Sequence, residues 1–212
     1  MATEHVILLH GLWMRAFAMG LLRRRLIEQG FQVHRFEYMS VAGTPGRAIV
    51  RLQRKMRELA PGPVHLVGHS LGGMLALLAC MDTDLPDGRI VCLGSPLAGS
   101  AAARGLISHW GGDRLLGNAR ELLEHGFESW DGPRAVGMVA GYLPMGLGSV
   151  VGELADEHDG SVAVAETRLP GLADHCLVET THTGLLMSAE VARQAAAFLR
   201  DGRFMAAPAA AG

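Results

Sequence analysis

The sequence predicts an α/β fold with a mostly parallel central sheet and helices on both faces. Two observations predict it. Short apolar runs alternate with longer amphipathic segments through most of the 212 residues, and a glycine-flanked serine, Ser70, stands between one such run and the next helical segment. This alternation is typical of β–α units around a parallel sheet. The length suits a single domain, residues 1–212, with a sizeable core.

Six short apolar runs are the candidate strands, at residues 6–9, 33–38, 64–67, 90–93, 136–140 and 176–178. Longer segments between them predict helices at residues 17–29, 47–59, 71–81 and 190–199. Gly30 is placed to end the first helix, because glycine readily takes the left-handed conformation that closes many helices. The prolines and glycine at residues 61–63 separate the second helix from the third strand.

Residues 100–133 interrupt this alternation by combining several glycines with apolar side chains and two tryptophans. The segment lies where a cap or lid over a pocket could be inserted. We therefore expect either a short cap or an ordinary surface helix with connecting loops. A second glycine-rich stretch, residues 141–148, is a candidate to flank the same pocket.

The pentapeptide Gly-His-Ser-Leu-Gly at residues 68–72 carries the strongest chemical signal. It follows a predicted strand and opens a predicted helix, which is the context of a nucleophile elbow. Gly68 and Gly72 lack side chains where strand and helix nearly touch. The helix would direct its free N–H groups and positive dipole end toward negative charge developing beside Ser70. The alternative is a glycine-rich turn between a buried strand and a buried helix.

A serine nucleophile needs a base, and the base needs an acid that fixes its tautomer. In sheets that carry a nucleophile elbow, the expected order along the chain is serine, acid, histidine, each on a loop after a strand. Asp159 follows the strand predicted at 136–140, and His182 follows the strand predicted at 176–178. We therefore predict Asp159 as the acid and His182 as the base.

Other residues compete for these two roles. Glu153, Asp156 and Glu157 precede Asp159 closely in the sequence. His175 competes with His182, but it stands at the start of the last predicted strand, whereas ligands gather at the carboxyl ends of parallel strands.

An oxyanion formed during acyl transfer needs preorganised backbone N–H donors. One is expected from Leu71, directly after the nucleophile, and the second from Leu12, in the loop after the first strand. Gly11 would let that loop turn over the site, and His10 could brace it by a hydrogen bond.

Composition excludes several function classes. Charged residues make up 19% of the chain and the net charge is −2, so no nucleic-acid partner is expected. No phosphate-binding glycine motif follows the first strand, and the histidines lack metal-ligand spacing, so neither cofactor nor metal is predicted. No apolar run is long enough for stable membrane insertion. The three separated cysteines and the absence of a visible signal peptide predict reduced thiols and a cytoplasmic location.

These motifs together resemble the α/β-hydrolase superfamily, and most closely small bacterial esterases and lipases with a short cap. The resemblance runs from residues 10–13, through 68–72 and 94–100, to 159–162 and 182–183. It implies that Ser70 is the nucleophile, Asp159 the orienting acid and His182 the base, with Leu12 and Leu71 as the oxyanion donors.

The predicted activity is cofactor-independent cleavage of carboxylic esters through an acyl-enzyme intermediate. Trp13, Met14, Leu97 and the apolar residues after Ser100 predict an apolar acyl pocket, and hence a small-molecule or lipid acyl ester as substrate. The same machinery would serve a thioesterase, an acyltransferase or an amidase, and a non-catalytic binding protein with this fold is a further alternative. The sequence leaves the oligomeric state open.

Overall fold

The computed structural model describes residues 3–81, 84–110, 113–145 and 157–206. Its centre is a parallel sheet of six strands in the order β2-β1-β3-β4-β5-β6. The strands are β1 (His5–Leu9), β2 (Gln32–Phe36), β3 (Val64–His69), β4 (Ile90–Leu93), β5 (Val136–Gly141) and β6 (Asp174–Val178). The predicted α/β fold with a parallel central sheet is confirmed.

The sheet is buried on both faces, as its nearly continuous apolar strands require. Side chains alternate between the two faces along each strand. In β1, Ile7 and Leu9 join one apolar cluster and Val6 and Leu8 join the other. Each cluster is therefore the core between the sheet and one layer of helices.

One face of the sheet is covered by α2 (Pro45–Glu58) and α3 (Leu71–Ala79). The α2 helix begins at Thr44, whose side chain accepts a hydrogen bond from the N–H of Arg47, and Pro45 stands at its first position. Such caps satisfy N–H groups that have no partner within the helix. The α3 helix is apolar on nearly all sides because it packs deep in the core.

The opposite face is covered by α1 (Gly20–Glu28) and by the last helix, which we label α7 (Ala189–Asp201). The predicted helix at residues 17–29 begins as a 3₁₀ turn, Ala16–Met19, and becomes α-helical only from Gly20. The predicted strand at 33–38 ends earlier, at Phe36, so the two residues after it belong to a loop.

In the described part of residues 100–133 there are three short helices that the sequence did not delimit, α4 (Ala101–Trp110), α5 (Asp113–Leu116) and α6 (Arg120–His125). Ser100 begins α4 by accepting a hydrogen bond from the N–H of Ala103 at 3.1 Å. Gly126 ends α6 with a φ of 66°, a conformation that suits glycine. The three helices lie over the carboxyl end of the sheet, where they share a cavity with Ser70.

The strand order reverses direction between β1 and β3, because the chain goes from β1 to the edge strand β2 and returns to β3 on the other side of β1. A crevice opens at the carboxyl ends of the strands where such a reversal occurs, and ligands bind there in open α/β sheets. The loops after β1 and β3 meet at this point.

Candidate active site

Ser70 lies between β3 and α3 in a strained backbone conformation, with φ of 53° and ψ of −122°. A positive φ is uncommon for a residue with a side chain and clusters at functional sites. Two glycines permit the turn. A Cβ atom on Gly68 would lie 2.3 Å from the backbone nitrogen of Gly73, and one on Gly72 would lie 2.5 Å from the carbonyl oxygen of Leu9. The geometry is that of a nucleophile elbow.

The elbow is tied to the neighbouring strand, because the N–H of Ser70 donates to the carbonyl oxygen of Leu93 at 2.9 Å. Leu71 is the first residue of α3, so its N–H has no acceptor within the helix. Its side chain is buried in the core. The positive end of the helix dipole therefore lies beside Ser70.

Asp159 and His182 form a close pair. His182 donates from Nδ1 to Oδ2 of Asp159 at 2.7 Å, and from its backbone N–H to the carbonyl oxygen of Asp159 at 2.8 Å. A carboxylate only accepts, so in the neutral imidazole this bond places the proton on Nδ1 and the lone pair on Nε2. The ring is thereby held in the tautomer that a general base requires.

The second carboxylate oxygen of Asp159 is also occupied. Oδ1 accepts the backbone N–H groups of Ser161 at 2.9 Å and Val162 at 2.8 Å. This local turn fixes the orientation of a carboxylate that is almost fully buried. The sequence around Asp159 carried a signal for this turn, since aspartate readily accepts from a backbone N–H two residues ahead.

Gly94, at the end of β4, makes room for the pair. Its φ is 55°, and a Cβ atom there would lie 3.0 Å from Oδ2 of Asp159, 3.2 Å from Nδ1 of His182 and 2.6 Å from a methyl carbon of Leu185. A side chain at this position would displace the acid or the base.

His69, a residue that the sequence analysis does not predict for the site, contacts the loop of His182 from the elbow side. Its Nε2 donates to the carbonyl oxygen of His182 at 2.9 Å. The two rings lie with their centroids 4.5 Å apart. Burial lowers the pKa of His69 to about 3, so the ring is neutral at neutral pH.

The loop after β1 closes over the elbow. A Cβ atom on Gly11 would lie 3.2 Å from Cβ of Ser70 and 3.0 Å from Nδ1 of His69, so the backbone approaches the serine closely. His10 donates from Nδ1 to the carbonyl oxygen of Gly11 at 2.9 Å, which is the predicted brace. Leu12, whose N–H is the second predicted oxyanion donor, follows directly.

A cavity of about 310 Å³ opens beside Ser70 and His182, and both residues line it. Leu12, Trp13 and Met14 line it from the β1 loop. The remaining lining is largely apolar, and five of its apolar residues come from the segment over the sheet: Ala102, Ala103, Leu106, Leu116 and Leu123.

Trp13 connects the β1 loop to α5, which lie on two sides of this cavity. Its Nε1–H donates to the carbonyl oxygen of Leu115 in α5 at 2.9 Å, and its side chain is half exposed. Leu97, by contrast, was predicted to line the pocket but is fully buried in the core. The preceding Pro96 lines the cavity in its place.

No hydrogen bond joins Ser70 to His182 in the structure, which describes both residues. Such bonds are often long in substrate-free sites and shorten when substrate binds. Among the rivals, His175 donates to the hydroxyl oxygen of Thr167 at 2.9 Å and is not part of the cavity lining. Glu157 is exposed. Glu153 and Asp156 lie outside the described residues.

Within the described part of the chain, no group of three or more histidine, cysteine, aspartate or glutamate side chains is arranged to hold a metal ion. In the same residues no helix is both long and apolar enough to cross a membrane. All three cysteines, Cys80, Cys92 and Cys176, are free thiols.

A sequence profile of the alpha/beta hydrolase family matches residues 6–210. The chain belongs to this family. Comparison with curated proteins finds none whose sequence matches it. Family membership supports hydrolysis as the reaction class of this alpha/beta hydrolase.

Three solved structures illustrate the shared fold. The mature form of a lipase from Bacillus licheniformis has a TM-score of 0.73 at 20% identity, over 87% of this chain and 87% of the lipase. A metagenomic carboxyl esterase has a TM-score of 0.57 at 15% identity, over 85% and 65% of the two chains. A phospholipase of Legionella pneumophila has a TM-score of 0.60 at 18% identity, over 78% of this chain and 46% of the phospholipase. This hydrolase therefore spans less than half of the phospholipase.

Proposed function

We propose that this alpha/beta hydrolase cleaves carboxylic esters through an acyl-enzyme intermediate, with Ser70 as nucleophile, His182 as base and Asp159 as the orienting acid. One observation carries the proposal. Ser70, strained at the elbow, shares a cavity with His182, whose Nδ1 donates to Asp159 at 2.7 Å. Serine, histidine and aspartate in these relations form the machinery of acyl transfer.

In the first half-reaction, Oγ of Ser70 attacks the ester carbonyl carbon while Nε2 of His182 takes the hydroxyl proton. The new Oγ–C bond gives a tetrahedral oxyanion, which the N–H groups of Leu12 and Leu71 stabilise. Asp159 stabilises the imidazolium. The C–O bond to the alcohol then breaks, and His182 returns the proton to the departing oxygen.

In the second half-reaction, water attacks the acyl carbon and gives a proton to His182. The same two N–H groups stabilise the second oxyanion. When the bond to Oγ breaks, Ser70 recovers its proton from His182 and the carboxylic acid is released. The cycle uses only groups of this chain and water.

We assign the acyl group of the substrate to the apolar cavity. The wall formed by α4, α5 and α6 supplies five apolar residues to its lining. This observation favours a short cap at residues 100–133 over an ordinary surface helix within one domain. Apolar burial favours an apolar acyl chain over a charged or sugar-like group. The lipase and esterase neighbours are consistent with an ester as the scissile group.

The test is labelling with a fluorophosphonate, followed by assay on acyl esters, thioesters and amides of matched chain length. We expect covalent labelling at Ser70 and turnover of esters, both lost in Ser70→Ala. Ser129→Ala is a matched control, because Ser129 is an exposed serine outside the cavity lining. Absence of labelling in the folded protein, or turnover that survives Ser70→Ala, would contradict the proposal. Faster turnover of thioesters or amides than of esters would change the proposed substrate class to those compounds.

A further inference from the structure

His69 connects the elbow to the loop that carries the base. It immediately precedes Ser70 in the chain, yet its Nε2–H donates to the carbonyl oxygen of His182, 113 positions away, at 2.9 Å. The contacts of His182 with Asp159 fix the base only relative to the acid, on the loops after β5 and β6. The bond from His69 is a direct link from the base to the strand that holds the nucleophile.

The environment of Nδ1 of His69 is evidence against a purely structural role for this side chain. The ring is buried, and Nδ1 has no hydrogen-bond partner among the described residues. A buried polar atom without a partner destabilises the folded state, whereas a phenylalanine of similar size would leave no such atom. What the imidazole adds at this position is its Nε2–H donor.

We propose that His69 is a positioning residue that sets the distance between Oγ of Ser70 and Nε2 of His182 by holding the carbonyl group of His182. This rests on the proposed function for its kinetic consequence. The geometry itself, a donor on the elbow strand and an acceptor on the base loop, holds for any reaction at this site.

A histidine also suits the electrostatics of the reaction. His182 becomes positively charged when it takes the serine proton, and its ring centroid lies only 4.5 Å from that of His69. A lysine or arginine donor at position 69 would oppose this charge, since like charges at this separation repel in a buried site. His69 supplies a donor and stays uncharged.

Kinetics of three variants test the proposal. His69→Phe keeps a planar ring and removes the donor, and His69→Gln keeps an N–H donor at about the position of Nε2. His65→Phe is the matched control, because His65 is another buried histidine on β3 that instead accepts from the N–H of Arg89 at 3.0 Å. We expect kcat to fall about 10- to 100-fold in His69→Phe, with KM changed less than about twofold.

We expect His69→Gln to recover most of that loss and His65→Phe to keep wild-type kcat. Equal kcat in His69→Phe and wild type would overturn the positioning role. So would equal losses in His69→Phe and His65→Phe, because they would mean that any change in the buried face of β3 has the same effect.

A spectroscopic measurement separates this inference from the ester assignment. The Nδ1 proton of His182, shared with Asp159, is expected to give a far-downfield proton resonance, to be assigned by its loss in His182→Gln. We expect this resonance to shift or broaden in His69→Phe and to persist in His69→Gln and His65→Phe. An unchanged resonance in His69→Phe would refute the inference, whether or not the wild-type protein hydrolyses esters.

Discussion

Nδ1 of His182 lies 2.7 Å from Oδ2 of Asp159, although the two residues are 23 positions apart and follow different strands. The parallel sheet explains the meeting, because β5 and β6 are neighbours and their carboxyl ends lie at one edge. The same edge carries Ser70, after β3. The strand order thus brings residues that are far apart in the sequence into one site.

Asp159→Asn is expected to lower kcat by about 10³- to 10⁴-fold, because an amide can donate to Nδ1 and stabilise the wrong tautomer of His182. Glu157→Gln is the control, since Glu157 is an exposed acid two residues away. Steady-state kinetics with thermal denaturation of both variants give the measurement. A large loss in Glu157→Gln with little change in Asp159→Asn would reverse the acid assignment.

Gly72→Ala is expected to lower the free energy of unfolding by about 1–3 kcal/mol, because the added Cβ would lie 2.5 Å from the carbonyl oxygen of Leu9 and 2.7 Å from that of His10. Gly46→Ala is the contrasting variant. Gly46 lies in α2 with nothing within 4 Å of an added Cβ, so alanine should stabilise by about 0.5–1 kcal/mol. Urea denaturation measures both, and equal stabilities would show that the elbow relaxes freely.

Ala102→Leu is expected to shorten the acyl chains that the enzyme accepts, since Ala102 lines the cavity on α4. The added volume should lower kcat/KM for octanoyl relative to butanoyl esters by about tenfold. Ala101→Leu changes the adjacent, exposed position of the same helix, which is outside the cavity lining, and should leave the ratio unchanged. The same ratio in both variants would place the acyl chain elsewhere.

Acid should destabilise the protein through its buried histidines. Burial lowers the pKa of His69 to about 3 and that of His65 to about 4, from 6.5. Between these values and 6.5 the unfolded chain binds more protons than the folded chain, so the free energy of unfolding falls as pH falls. The contribution of these neutral buried histidines to the free energy of unfolding is fully present above pH 6.5. Below that pH it falls by at most about 1.4 kcal/mol per pH unit for each histidine.

Denaturation midpoints between pH 7 and pH 4.5 test this dependence, and His65→Phe should show a shallower decline than the wild type. Parallel declines in the two proteins would mean that His65 is protonated in the folded state within this range.

Local patterns in the sequence explain why the sheet and the elbow could be predicted. Apolar runs of strand length and the paired glycines around Ser70 are properties of a few neighbouring residues. The order of Asp159 and His182 after successive strands also follows from chain direction. These features need no knowledge of distant packing.

Other features depend on tertiary contacts that no local pattern encodes. The bond from His69 to the His182 carbonyl joins segments 113 positions apart. Leu97 and Pro96 are adjacent, and which of them faces the cavity depends on the backbone between Gly94 and Gly99, both at positive φ. The helices of residues 100–133 are short and interrupted by glycines, so helical periodicity could not delimit them.

The bond from Trp13 to Leu115 also gives the protein an optical reporter. The half-exposed indole belongs to the β1 loop, donates a hydrogen bond to α5 and lines the cavity. Its emission should therefore change when a ligand occupies the cavity or when the hydrogen bond to Leu115 breaks. Trp130 is buried and donates to the carbonyl oxygen of Arg134, which makes it insensitive to such changes. In a Trp110→Phe variant, changes in tryptophan fluorescence would therefore follow ligand entry in real time, before any product forms.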